Sequence, residues 1–400
     1  MHQIELPALE AIVRLDRCDA PPPVPVVTTA APVLAHRPLY LAAGGCLYTV
    51  NAADGRARWC QQVKLIRTRE VIYPPEVSVP PPPRVHFATP RVVDGDGVNG
   101  MVYVCIDGFF SSYTCAFAAD DGALRWWTPT DARVSGGHFM DWAVPLVHDG
   151  TVYSGTYALN AQDGAVRWRV EAINTLEEET LALHALADQT LYTSTQRGIS
   201  AINTQDGQIR WRYQPEEPRY LSGPPVVSGH LLYAGTGDGG GYPPKGHCFA
   251  FDVETGTEVW RYPIDSYIGA VVQHETIYVS SGDRSLYALN AKSGALRWRQ
   301  PFAAPGQYLR DPAIIANDVL YLTADGVYAL RSADGEILWH QPLGSSPSVS
   351  FCQPVVLDGA VYLVRLDKHG GVLYALNTHT GAEYWHTPYP SRGAGLGVAQ

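Results

Sequence analysis

A glycine followed four residues later by a tryptophan recurs eight times in this chain, at Gly55/Trp59, Gly122/Trp126, Gly164/Trp168, Gly207/Trp211, Gly256/Trp260, Gly294/Trp298, Gly335/Trp339 and Gly381/Trp385. Successive tryptophans are 67, 42, 43, 49, 38, 41 and 46 positions apart. A unit of about 40 residues cannot bury a core alone, so this period demands an architecture in which each unit packs on copies of itself. The columns before the glycine agree. Six positions upstream stands alanine in seven copies, Ala116, Ala158, Ala201, Ala250, Ala288, Ala329 and Ala375. Five upstream, all eight residues are apolar. Four upstream, six copies carry Asn or Asp, namely Asn51, Asn160, Asn203, Asp252, Asn290 and Asn377.

One copy is enough to read the local structure. Tyr287, Ala288, Leu289 and Asn290 suit a short strand, aromatic and branched residues being favoured there. Asn290 to Gly294 is a turn, in which an Asx side chain can accept from its own backbone and glycine supplies a positive φ. The segment ending at Trp298 is the return strand, and residues 267–272 and 275–279 supply two more. Each unit is therefore four short strands joined by turns. A four-stranded sheet has two faces to cover, and a ring of such sheets leaves no bare end. The fold expected is all-β, an eight-bladed β-propeller of four-stranded antiparallel blades. Trp59, Trp126, Trp168, Trp211, Trp260, Trp298, Trp339 and Trp385 are expected to be structural wedges docking blade to blade, and the alanines small residues that let sheets approach.

These columns resemble the PQQ-like repeat propeller, whose blades end in a Trp-docking segment A-x-D-x-x-T-G-K-x-x-W. Asp252 to Gly256 and Ala288 to Gly294 carry the closest matches. The residue after the glycine departs from the family lysine, being Arg56, Ala123, Ala165, Gln208, Thr257, Ala295, Glu336 and Ala382. WD40 propellers are a poorer match, since no Gly-His and Trp-Asp pairing recurs. The propeller is expected over 31–388, with a proline-rich insertion at 61–84, an N-terminal tail at 1–30 and a flexible, glycine-rich C-terminal tail at 389–400.

Composition excludes several classes. The 38 Gly and 31 Pro make the chain rich in turns, yet 23 Tyr, 10 Trp and 9 Phe can fill a large core. With 29 basic against 39 acidic residues the net charge is −10, and no basic run offers a nucleic-acid footprint. No apolar stretch reaches the length of a membrane span. The N-terminus carries no apolar segment of secretory type, which makes the cytoplasm the default compartment. Seven cysteines at irregular spacing, without CxxC, indicate neither a disulfide framework nor a structural zinc site. Gly235-x-Gly237-x-x-Gly240 fits a dinucleotide fingerprint, but Pro243 and Pro244 prevent the helix that would have to follow. The acidic turn at 94–100 lacks the glutamate of a calcium loop. No catalytic residue and no metal ligand is assigned.

Function is therefore sought on one rim. The Asn-to-Gly turns all fall on one rim and are short and uniform. The loops between second and third strands, and the connections between blades, fall on the other, and they vary. Variable loops on a rigid scaffold carry function. The candidates for binding a ligand or partner there are Arg219, Tyr220, Asp238, Tyr242, Asp283, Arg284, Arg310, Asp311, Arg365 and Asp367. Mixed Arg, Asp and Tyr suits a protein partner or a polar small molecule, taken up by a monomeric, non-enzymatic scaffold. The resemblance extends to the propeller subunit of the bacterial outer-membrane barrel assembly machinery and to sensor propellers of bacterial kinases. It also implies an alternative, a PQQ-dependent quinoprotein dehydrogenase with calcium as Lewis acid and an Asp base. That family carries a vicinal Cys-Cys pair, which this chain lacks, so no cofactor is expected.

Overall fold

A computed structural model describes residues 11–17, 26–27, 38–43, 45–67, 86–87, 89–93, 100–107, 112–131, 144–170, 183–195, 198–215, 220–237, 246–302, 309, 311–344, 349–367, 369–389 and 394–398. The described residues form eight antiparallel sheets, one around each Gly–Trp copy, and the propeller is eight-bladed. Blade 6 shows the pattern, with Tyr267–Gln273 innermost, then Thr276–Ser281, Ser285–Asn290 and the outermost Leu296–Pro301. Blades 3, 4, 5 and 7 repeat this four-stranded order. In blades 2 and 8 the innermost strand is broken in two, as in Ser350–Phe351 and Val355–Leu357.

The repeat columns now have physical causes. Alanine faces the tryptophan of its own blade across the ladder, as in Ala288↔Trp298 and Ala329↔Trp339. Only a small side chain leaves room for an indole there, and blade 1 uses Thr49 instead. The ladder shifts by one residue immediately after this pair in every blade, a bulge that accommodates the tight turn. The Asx side chain accepts from the backbone N–H two residues on, at 3.0 Å for Asn290 and Lys292. The turn glycine is in the left-handed region, for example φ 70° at Gly294.

That glycine contacts the tryptophan of the preceding blade rather than its own. A Cβ added at Gly122 would fall 2.7 Å from the Trp59 ring, and one at Gly381 would fall 2.6 Å from Trp339. Each indole N–H donates to a turn carbonyl of the following blade, and all eight bonds are 2.8–3.1 Å long. The eighth runs from Trp385 to the Ala52 carbonyl, so the series closes on blade 1.

The two ends of the described chain meet in blade 1. Ala394–Val398, inside the segment read as a flexible tail, is instead that blade's innermost strand, paired with Pro38–Ala43. Its buried Leu396 joins Leu39, Leu41, Tyr362 and Trp385 in the core between blades 8 and 1. The N-terminal stretch is not simply a tail either. Ala11–Arg17 pairs with the outermost strand, Ala57–Arg67, and Val26–Val27 pairs with the outer strand of blade 8. Cys60, on Ala57–Arg67, is disulfide-bonded, contrary to the reading from cysteine spacing, whereas Cys46, Cys105, Cys115, Cys248 and Cys352 are buried and in no disulfide. Gly235 of the fingerprint-like motif lies in a strand, where a Cβ would fall 2.1 Å from the Tyr267 ring of the next blade. Among the described residues no helix is long and apolar enough to cross a membrane.

Candidate binding rim

Strand order places the two rims. Hairpins joining the first and second strands of a blade share a side with the Asx–Gly turns. Loops joining the second and third strands share the opposite side with the blade-to-blade connections. On the first side the turns saturate their own polar groups. In blade 6 Gly294 N–H donates to the Asn290 carbonyl at 2.8 Å, and the other seven blades repeat the bond at 2.8–3.0 Å.

The opposite side is chemically richer. In blade 6 Asp283 anchors the turn between Thr276–Ser281 and Ser285–Asn290. Its carboxylate accepts from the Ser285 N–H at 3.0 Å, the Tyr287 hydroxyl at 2.6 Å and the Arg299 guanidinium at 2.8 Å. Arg299 also lies over the Tyr287 ring, 5.2 Å from its centroid. Burial and the Asp283 carboxylate together push the Tyr287 phenol up, so it stays protonated and keeps donating. Arg284, next in the turn, has φ 64°, a conformation held by this network around it.

Blade 7 repeats the design with other residues. Asp325 accepts from the Tyr328 hydroxyl at 2.7 Å and lies 3.1 Å from His340 Nε2, while the His340 ring stacks 3.9 Å above Tyr328. In blade 8 Asp367 accepts from the His369 and Gly370 N–H groups at 2.7 and 3.2 Å and pairs with Arg365 at 2.9 Å. Those backbone donors, then Arg365, hold its carboxyl below the usual range. Blade 3 takes its carboxylate from the preceding connection. Asp131 accepts from the Thr156 N–H at 2.8 Å and its hydroxyl at 2.5 Å, and Arg169 covers the Tyr157 ring at 4.9 Å. Nearby, burial pushes the His184 imidazole down to about 4, against the pull of Asp131, so it is neutral at ordinary pH.

The sequence reading missed the Arg or His that follows six of the eight repeat tryptophans. Arg169, Arg261, Arg299, His340 and His386 each face an aromatic residue across the ladder, Tyr157, Phe249, Tyr287, Tyr328 and Tyr374 in turn. The signal was there, because six of the eight repeat tryptophans are followed by Arg or His. Of the candidates read from sequence, Asp283, Arg284, Arg365 and Asp367 are brought to this rim. Asp311 sits just before the innermost strand of blade 7 and is only 8% exposed. Tyr220 begins the innermost strand of blade 5, opposite Gly237. Arg219, Asp238, Tyr242 and Arg310 lie outside the described residues. Among the described residues no group of three or more His, Cys, Asp or Glu side chains could hold a metal ion.

Comparison with known proteins agrees with this architecture. A family model described as outer membrane protein assembly factor BamB matches residues 98–283 and 244–396, together well over half of the chain. A curated relative, the outer membrane protein assembly factor BamB of Legionella pneumophila (strain Paris), is 24% identical over 95 residues. That match spans 24% of this chain and 23% of the relative's length. Among solved structures, BamB from Moraxella catarrhalis superposes with a TM-score of 0.57 at 17% identity, covering 96% of this chain and 100% of that one. Quinohemoprotein alcohol dehydrogenase from Comamonas testosteroni gives 0.58 at 14% identity, covering 76% and 67%. At these identities the likeness to solved structures is one of fold alone.

Proposed function

Because the chain belongs to the PQQ-repeat family described as outer membrane protein assembly factor BamB, we propose that it is a non-enzymatic scaffold that binds a protein partner through its loop-rich rim. The observation that carries this reading is the contrast between the rims. On one, short uniform turns each close on a backbone bond of their own. The other holds Arg284, Arg365 and Asp367 on turns fixed by buried or half-buried networks. Prearranged charged and aromatic groups lower the ordering cost of binding. The other candidates read from sequence, Arg219, Tyr220, Asp238, Tyr242, Arg310 and Asp311, are carried as proposed contacts of the partner. The scaffold works without a redox cofactor. The relatives' name sets their work at the outer membrane, and we extend that setting to this chain in place of the cytoplasm expected from its N-terminus.

Asp283 is a poor probe of this surface, since its removal would release three hydrogen bonds. Arg284 is a better one. Tagged full-length protein carrying Arg284→Glu should capture about tenfold less partner than wild type, equivalent to about 1.4 kcal/mol. Lys292→Glu, on the uniform rim, should capture as wild type does. Both variants should keep the wild-type melting temperature. Undiminished capture by both Arg284→Glu and Arg365→Glu would show that partners bind elsewhere.

A further inference from the structure

The innermost strands surround the axis of the ring, where a propeller encloses its central channel. Among the described residues these strands carry one Lys, Arg, Asp or Glu side chain, that of Arg91 on Arg91–Val93 of blade 2. Register shows how unusual its position is. In every blade a second-strand tyrosine lies across the ladder from an innermost-strand residue. That residue is Gly397 in blade 1, and Leu146, Ala185, Val226, Val271, Ile314 and Val355 in blades 3 to 8. Blade 2 alone sets a cation there, in the pair Arg91↔Tyr103.

The surroundings of Arg91 do not answer its charge. Arg91 is half-buried and shares a face with Tyr103, which packs with Val93 and Val147 between blades 2 and 3. The Tyr103 hydroxyl is committed elsewhere, donating to the Ala161 carbonyl at 3.1 Å. Among the described residues the Arg91 guanidinium makes no hydrogen bond and no ion pair. Burial pulls its pKa down, and no nearby carboxylate opposes that pull. A guanidinium keeps its proton even so. The folded chain therefore holds a partly desolvated cation without a counter-charge, which costs stability until an anion pairs with it.

We propose that Arg91 is the anchoring cation of an oxyanion site on the channel wall between blades 2 and 3, where it takes the carboxylate or phosphate group of a small ligand. The planar guanidinium fork matches two oxygens of either group. Apolar neighbours lower the local dielectric, so the pairing is stronger there than on an open surface. The site stands apart from the partner-binding rim, because Arg91 lies on an innermost strand and not on a rim turn.

The test follows the melting temperature of the full chain as inorganic phosphate or acetate replaces chloride at constant ionic strength. The wild-type midpoint should climb with anion concentration, as binding to the folded state alone requires. A climb with phosphate only assigns a phosphate group, with acetate only a carboxylate, and with both a site that reads the geometry the two share. Arg91→Leu, which carries a residue type other blades use at this register, should show no climb. Arg91→Gln, neutral and closer in length, should lose it too and serves should the leucine variant not fold. Calorimetric titration with the effective anion should show binding to Arg91→Lys weakened by about tenfold, the fork being lost while the charge stays. An equal climb in wild type and in the leucine or glutamine variant would overturn the site. So would a wild-type midpoint that ignores both anions up to about 50 mM.

Discussion

Replacing Trp385 with alanine lowers the stability of the propeller by about 3–5 kcal/mol, the cost of deleting a large, fully buried aromatic side chain. Trp385 is 0% exposed and packs in the core that joins the last blade to the first. Its N–H donates to the Ala52 carbonyl at 3.1 Å, and its ring lies against Gly55. Removing it leaves a cavity and an unpaired carbonyl at the junction where chain termini, rather than consecutive repeats, meet. Trp168 makes the same dock, to the Thr204 carbonyl at 2.9 Å, but is only half-buried and joins consecutive blades. Trp168→Ala should therefore cost less. Equilibrium unfolding of both variants in guanidinium chloride measures the difference. Equal losses would mean that the closing junction is no more demanding than any other.

Gly55→Ala should destabilise by about 2–5 kcal/mol although it adds one methyl group. Two terms contribute. At φ 71° an L residue costs about 1–2 kcal/mol. The new Cβ would also lie 2.6 Å from Thr387 Oγ1 and 2.7 Å from the Trp385 ring, an overpacking that costs about 1–3 kcal/mol. Gly229→Ala separates the terms, because Gly229 has φ 59° and nothing within 4 Å of its added Cβ. It should show the backbone cost alone. A thermal or denaturant midpoint for Gly55→Ala no lower than that for Gly229→Ala would refute the close contact between blades.

Sequence reading reached the number of blades because it depends on a local, constant spacing. It could not reach the partner of each tryptophan. Gly122 docks under Trp59, and that contact depends on how sheets stack rather than on how a turn is built. Ring closure was equally hidden. Ala394–Val398 carries no copy of the repeat, and its partner Pro38–Ala43 lies at the far end of the chain. On the rim, Asp283 was legible as a charged turn residue, but its task was not. That task follows from the register pair Tyr287↔Arg299, which puts a hydroxyl and a guanidinium on one carboxylate.

The most direct test of the functional claim is to locate where a partner touches the ring. A photoreactive phenylalanine analogue would replace Arg284 or His369 on the loop-rich rim, and Lys292 or His379 on the uniform one. The scaffold reading predicts covalent partner adducts from the first two positions and none from the second two. Adducts arising from Lys292 and His379, with none from Arg284 and His369, would contradict it.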